Sequence, residues 1–231
     1  MAMLSNLELM QRVPLFAQLA PEQLEVLAQP VIKKRYRRGQ NIVEQGRTSN
    51  ALYIILNGRA RVVMTDQNAR EVILATLKSG DYVGEMSLID NEAHSATVSA
   101  EIVTDVLVLE REGFMHCLAN SGSTALALMR GLVRRLRSAD RKIGSLALSG
   151  VYARVAQALL EAAEPDAAGQ LWIRDKVSRQ DIAKTVGASR EMVSRVMKEF
   201  EEQGFISTQA NGSVRVNERR EKPRGASSIV R

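Results

Sequence analysis

Apolar positions change their rhythm twice along the 231-residue chain. Between Leu7 and Leu27 they fall at Leu15, Phe16, Leu19, Leu24 and Leu27, and Pro14 and Pro21 break the stretch into short helical pieces. From Val31 to Leu109 short runs rich in β-branched residues take over. They are Asn41–Glu44, Leu52–Leu56, Ala60–Met64, Val72–Leu77, Tyr82–Val83, Thr97–Ala100 and Asp105–Leu109, with Gly46, Gly58, Gly80 and Gly84 in four of the gaps. Asn57-Gly58 and Ser79-Gly80 supply turn chemistry between them. Short strands at this even spacing predict an antiparallel barrel or sandwich over residues 30–110, without βα alternation.

A proline-free segment, Ser123 to Leu148, predicts one long helix. Met129, Leu132, Leu136, Ala139, Ile143 and Leu146 recur at 3-4-3-4-3 spacing along it, the a/d pattern of a two-stranded coiled coil. Arg130, Arg134, Arg135, Arg137, Arg141 and Lys142 occupy the other faces. The stripe predicts self-pairing. The alternative is a helix packed on its own domain, which Leu126, Leu128, Val133 and Leu148 fit.

In the last third, Tyr152 to Ala163 predicts a helix that stops near Pro165, and Leu171–Ile173 a short strand. Ser178, three residues before Asp181, is a helix-start signal, and Ile182, Ala183 and Val186 share one apolar face. Gly187-Ala188 breaks that helix. Ser189 caps a second, whose inner face is Val193, Val196, Met197 and Phe200. Two short helices joined by a tight glycine turn form a helix-turn-helix unit. Phe205–Thr208 and Ser213–Val216 flank Asn211-Gly212, a hairpin signature, and predict a wing. The polar tail from Glu218, broken by Pro223 and Gly225, predicts disorder over 218–231.

Charge sharpens this division. Residues 1–118 carry 12 Lys and Arg against 14 Asp and Glu, whereas 119–231 carry 20 against 12. The basic excess lies wholly in the half that holds the helix-turn-helix, as in a nucleic-acid-binding module joined to a neutral one. One cysteine, Cys117, excludes an internal disulfide and the cysteine clusters of zinc or iron–sulfur centres. No run reaches the roughly 18 apolar residues of a membrane span. A soluble, cytoplasmic protein without membrane contact or bound metal is expected.

The chemistry concentrates on the second helix of the helix-turn-helix. Ser189, Arg190, Glu191, Ser194, Arg195 and Lys198 point away from its apolar stripe. An arginine fork donates to guanine O6 and N7, and a glutamate accepts from cytosine N4. Arg190, Glu191 and Arg195 are therefore candidates for reading base edges of double-stranded DNA, with Ser178, Arg179, Gln180, Ser189 and Lys198 on the backbone.

The stretch VSRQDIAKTVGASREMVSRVMKEFEEQGFI resembles the winged helix-turn-helix of the cyclic AMP receptor protein and fumarate–nitrate regulator superfamily. The resemblance extends over residues 12–217. It implies an α+β fold with an N-terminal antiparallel β-roll of the cyclic-nucleotide-binding type over 1–118. A long dimerisation helix and hinge over 119–150 and a C-terminal winged helix-turn-helix over 151–217 would follow. It further implies a homodimeric bacterial transcription regulator, recognition of a TGTGA-like palindrome, and contact with RNA polymerase.

Within the β-roll, Gly84 and Glu85 match the family's ribose-binding pair, followed by Met86, and Ser95 and Ala96 match its phosphate donors. His94 stands where the family carries a phosphate-pairing arginine, and Ala139 and Asp140 stand where it carries two adenine-facing hydroxyls. Neutral histidine offers one donor where arginine offers a permanent charged fork. Arg134, Arg137 and Asp140 provide an arginine and carboxylate set of the kind that pairs with a bis-guanine dinucleotide. The expected effector is thus a dissociable cyclic nucleotide, cyclic AMP or cyclic di-GMP, with Arg135 beside it. An effector-independent regulator with a degenerate pocket, or a dimeric adaptor acting through protein partners, is the alternative. Phosphate-binding loops, nucleophile elbows and metalloprotease helices are absent from the sequence, so no enzymatic activity is expected.

Overall fold

The computed structural model describes residues 5–175 and 177–217, so the expected disorder of 218–231 concerns residues outside this range. The chain divides into two compact units that meet between Lys142 and Ile143.

The first unit opens with α1 (Asn6–Gln11), a 3-10 turn (Pro14–Phe16) and α2 (Pro21–Ala28). Pro14 and Pro21 each stand at the start of an element, where the missing N–H costs nothing. Eight strands follow: β1 (Ile32–Tyr36), β2 (Asn41–Val43), β3 (Ala51–Asn57), β4 (Ala60–Thr65), β5 (Glu71–Leu77), β6 (Tyr82–Val83), β7 (Thr97–Ala100) and β8 (Thr104–Glu110). They form two four-stranded antiparallel sheets, β1-β8-β3-β6 and β2-β7-β4-β5. Ile55 and Val106 of the first sheet pack with Val43, Ala60 and Val98 of the second, closing the roll around a shared core. A second cluster joins Leu52, Leu107 and Leu109 to Met10, Phe16, Leu24 and Phe114.

Three elements of this unit are not foreshadowed by the sequence pattern. The strand β1 is almost wholly exposed and reads Ile-Lys-Lys-Arg-Tyr, so it lacks the alternation that marks a half-buried strand. Pairing with β8 makes it a strand. The helix α3 (Glu85–Asp90) interrupts the strand series, and α4 (Arg111–Asn120) precedes the long helix.

The long helix, α5, runs from Gly122 to Leu148. Of its a/d residues, Leu132 packs on the first unit's own core, whereas Met129, Leu136, Ile143 and Leu146 are 49–64% exposed. Ala139 is exposed as well.

In the second unit, α6 (Val151–Ala162) is followed by β9 (Glu164–Pro165), β10 (Leu171–Ile173), α7 (Arg179–Val186), α8 (Arg190–Glu202), β11 (Ile206–Thr208) and β12 (Val214–Val216). The four strands pair in the order β11-β12-β10-β9. The wing hairpin is therefore half of a larger sheet that includes the Trp172 strand. Val155 and Leu159 of α6 join the apolar faces of α7 and α8 in one core with Ile206, Val214 and Val216.

Candidate nucleic-acid interface and effector pocket

Local chemistry holds the two helices of the reading unit. Ser178 caps α7 by accepting from the Asp181 N–H at 3.3 Å, and Ser189 caps α8 by accepting from the Met192 N–H at 3.2 Å. Between them Gly187 adopts φ 61°, the left-handed conformation that ends α7 without a Cβ penalty. Val193, Val196, Met197 and Phe200 anchor α8 from beneath, with Phe200 between Tyr152 (ring centroids 4.4 Å apart) and Phe205 (4.8 Å).

The opposite face of α8 leaves Arg190, Glu191, Arg195 and Lys198 exposed. Ser194 turns back to donate to the Arg190 carbonyl at 2.8 Å, and Lys198 sits 3.7 Å from Glu202. Gln180 is exposed at the start of α7, and Ser178 and Arg179 are half-buried beside it. Ser178, Arg179, Gln180, Ser189, Arg190 and Glu191 thus lie at the starts of two helices packed on one core, Arg195 lies in the second turn of α8, and Lys198 lies farther along it. Asp166, which the sequence analysis passes over, organises the β9–β10 turn. It accepts from the N–H groups of Ala168 and Gln170 and from Trp172 Nε1, and these bonds, the Gln170 one foremost, lower its pKa.

In the β-roll, Gly84 adopts φ 99°, and a Cβ there would lie 2.6 Å from the Ala51 carbonyl oxygen, so glycine is required. It leads into Glu85, which is 1% exposed. One carboxylate oxygen of Glu85 is paired with the Arg135 guanidinium, which also donates to the Tyr82 carbonyl and lies over the Tyr82 ring, 4.7 Å from its centroid. Burial raises the Glu85 pKa, and the Arg135 charge opposes that rise. The other oxygen, Oε2, is buried without a hydrogen-bond partner, as is the Tyr82 hydroxyl. A buried acceptor left unpaired costs about 1–3 kcal/mol, and a ligand hydroxyl would satisfy it.

Glu85 and Arg135 are brought together across fifty positions of sequence. Other expected effector residues are not drawn into that cluster. Met86 is half exposed and Ser95 exposed, while Ala96 is buried. His94 is 8% exposed, with Nε2 2.8 Å from Ser49 Oγ, and burial lowers its pKa below the usual 6.5. It is therefore neutral near pH 7 and provides no fixed positive charge. Arg134, Arg137 and Asp140 are exposed along α5. The residues present fit a ligand hydroxyl at Glu85 better than they fit a phosphate at His94. No helix among the described residues is long and apolar enough to cross a membrane, and no cluster there could hold a metal ion.

A Gly-Glu turn in an antiparallel roll, a long helix and a capped helix-turn-helix with a wing define the class of a DNA-binding regulator with a cyclic-nucleotide-binding type of roll. Family comparison agrees. The cyclic nucleotide-binding domain profile matches residues 33–121, and the Crp-like helix-turn-helix domain profile matches 153–221. The chain is 34% identical over 180 residues to the cAMP-activated global transcriptional regulator Vfr of Pseudomonas aeruginosa, covering 75% of this chain and 84% of that one. It is 34% identical over 209 residues to the cyclic AMP receptor protein of Thermus thermophilus, covering 90% and 94%. Among solved structures, the c-di-GMP responsive global regulator CLP of Xanthomonas campestris superposes with a TM-score of 0.72 at 25% identity, covering 86% of this chain and all of that one. The chain belongs to the cyclic AMP receptor protein family of DNA-binding transcription regulators, which are not enzymes.

Proposed function

We propose that the protein works as a cytoplasmic homodimer that reads a TGTGA-like palindrome and answers to a cyclic nucleotide held beside Glu85 and Arg135. The observation that carries the reading is the exposed Arg190, Glu191 and Arg195 set on the first turns of a helix buried on its other side. Those side chains meet base edges, while Ser178, Arg179, Gln180, Ser189 and Lys198 fix the helix on phosphates. Dimerisation through 119–150 is supported by the exposed apolar residues Met129, Leu136, Ile143 and Leu146, with Ala139 between them. Two such units set recognition helices about 34 Å apart, one turn of DNA. RNA polymerase is the further partner through which a bound regulator acts.

Because α5 carries Arg135 and runs on to Leu148, a ligand that draws Arg135 or Glu85 into new bonds biases the position of that helix. The effector supplies a hydroxyl to Glu85 and does not depend on a permanent cation at position 94. CLP is described as c-di-GMP responsive and Vfr as cAMP-activated, so these two nucleotides form the arms of the test. DNA-binding anisotropy on a palindromic TGTGA duplex, at fixed salt, is measured without ligand and with each nucleotide. Specific binding strengthened by one nucleotide is the expected result and names the effector. Tight binding indifferent to both retains the DNA reader and overturns the effector. Loss of sequence preference under all three conditions overturns the reader and favours the protein-partner adaptor.

A further inference from the structure

A groove of about 570 Å³ lies between α2 and α4, on elements separate from both Glu85 and the reading helix. Leu19, Leu27 and Pro30 line its apolar floor, and Val26 leaves 58% of its surface exposed on one wall. The charged groups among the described residues lining it all carry the same sign: Glu22 on α2, and Glu110 and Glu112 at the start of α4. Among the described residues no lysine or arginine lines it, and His116 is the one histidine that does.

The groove is built rather than incidental. The Gln23 side-chain oxygen accepts from the Ala20 N–H at 3.2 Å, and its Nε2 donates to the Asn120 carbonyl at 3.3 Å, tying α2 to the far end of α4. Gly113 allows α4 to pack closely at the groove, because a Cβ there would lie 3.0 Å from Leu109 Cδ1 and 3.7 Å from Pro30 Cγ.

We propose that this groove is a second ligand site, for an organic cation with an apolar body, such as a primary amine on an alkyl chain. Its volume falls within the range of about 300–1,000 Å³ that holds small ligands. The apolar floor rewards a hydrocarbon body. Three carboxylates on the rim reward a cation and repel a carboxylate, and a neutral hydrocarbon would gain nothing from them. Cys117, the chain's one thiol, lines the groove and is otherwise buried, so a reagent reaching it by way of the groove would be hindered by an occupant.

The test titrates the full-length protein with decylamine, and with decanoate and 1-decanol as chain-matched controls, by calorimetry below micelle formation. Saturable binding of one decylamine per chain is expected, at least about tenfold tighter than decanoate, and weakening about fourfold for each methylene removed. The same amine slows alkylation of Cys117 by N-ethylmaleimide. Glu22→Lys with Glu112→Lys, both exposed positions, weakens the amine by at least about tenfold while the circular dichroism spectrum is unchanged. Val26→Arg, an independent exposed change, does the same. Equal binding of decanoate, unsaturable uptake, an unprotected Cys117, or indifference to the charge reversals overturns the proposal. None of these readouts uses DNA or a cyclic nucleotide, so they are separate from the reading above.

Discussion

The Tyr82 hydroxyl occupies the space that a side chain at Gly131 would fill: a Cβ built at Gly131 overlaps that oxygen and lies 3.2 Å from the ring carbon bearing it. The long helix is thereby seated against the roll at one position, and the same tyrosine ring lies beneath the guanidinium of Arg135. Gly131→Ala sets two effects against each other. Helix propensity gains about 1 kcal/mol, and overpacking costs about 1–3 kcal/mol. Net loss of stability in urea unfolding is expected. Tyr82→Phe removes a buried hydroxyl that has no partner, so alone it is neutral or stabilising. Combined with Gly131→Ala it restores the loss, and a double-mutant cycle showing purely additive effects would refute the seat.

Base reading and backbone positioning separate by mutation. Arg190→Ala on the exposed first turn of α8 lowers discrimination between the TGTGA-like site and a site with a changed guanine by ~1–3 kcal/mol. Arg179→Ala weakens all DNA nearly equally and reduces the slope of log affinity against log salt by about one. Anisotropy across a salt series on both duplexes checks the pair, and the reverse assignment of effects would exchange their roles.

The apolar stripe of α5 divides by what each residue touches. Leu136 and Ile143 are 63% and 64% exposed, so Leu136→Glu with Ile143→Glu leaves the fold intact and converts dimer to monomer in sedimentation. Leu132 packs on the first unit's own core, so Leu132→Glu lowers the unfolding midpoint instead. A double glutamate variant that sediments as wild type would remove the stripe from any dimer interface.

His94 gives the roll a pH dependence whose sign follows from its burial. Its folded pKa is below the usual 6.5, so the unfolded chain binds the extra proton first. Stability from the neutral imidazole is full above about 6.5 and declines as pH falls from there toward the folded value. The slope for one such group is at most about 1.4 kcal/mol per pH unit. Urea unfolding between pH 8 and pH 5, compared with His94→Asn, isolates it from the carboxylates. A difference between the two proteins that stays constant with pH would show that His94 does not titrate in this way.

Most of the architecture is legible in one dimension because the signals are local. β-Branched runs, with glycines in four of the six gaps between them, mark seven strands close to where they form, and Ser178, Gly187 and Ser189 mark the helix-turn-helix through caps that act within four residues. The strand β1 escapes because its side chains face water and its partner β8 lies some seventy residues away. At the candidate effector site the sequence names Glu85, His94 and Arg135 alike, without distinguishing which of them meet.

Residue order alone determined the helix and strand periods, the one-sided charge, the a/d stripe and the polar face of α8, since each depends on neighbours a few positions apart. Tertiary structure decided which polar groups share a low-dielectric interior. It closed Arg135 on Glu85, left one carboxylate oxygen without a partner, and turned His94 toward Ser49. It also placed the Tyr82 hydroxyl in the Gly131 notch. Such contacts join segments tens of residues apart, and their energies depend on burial, which no local pattern encodes.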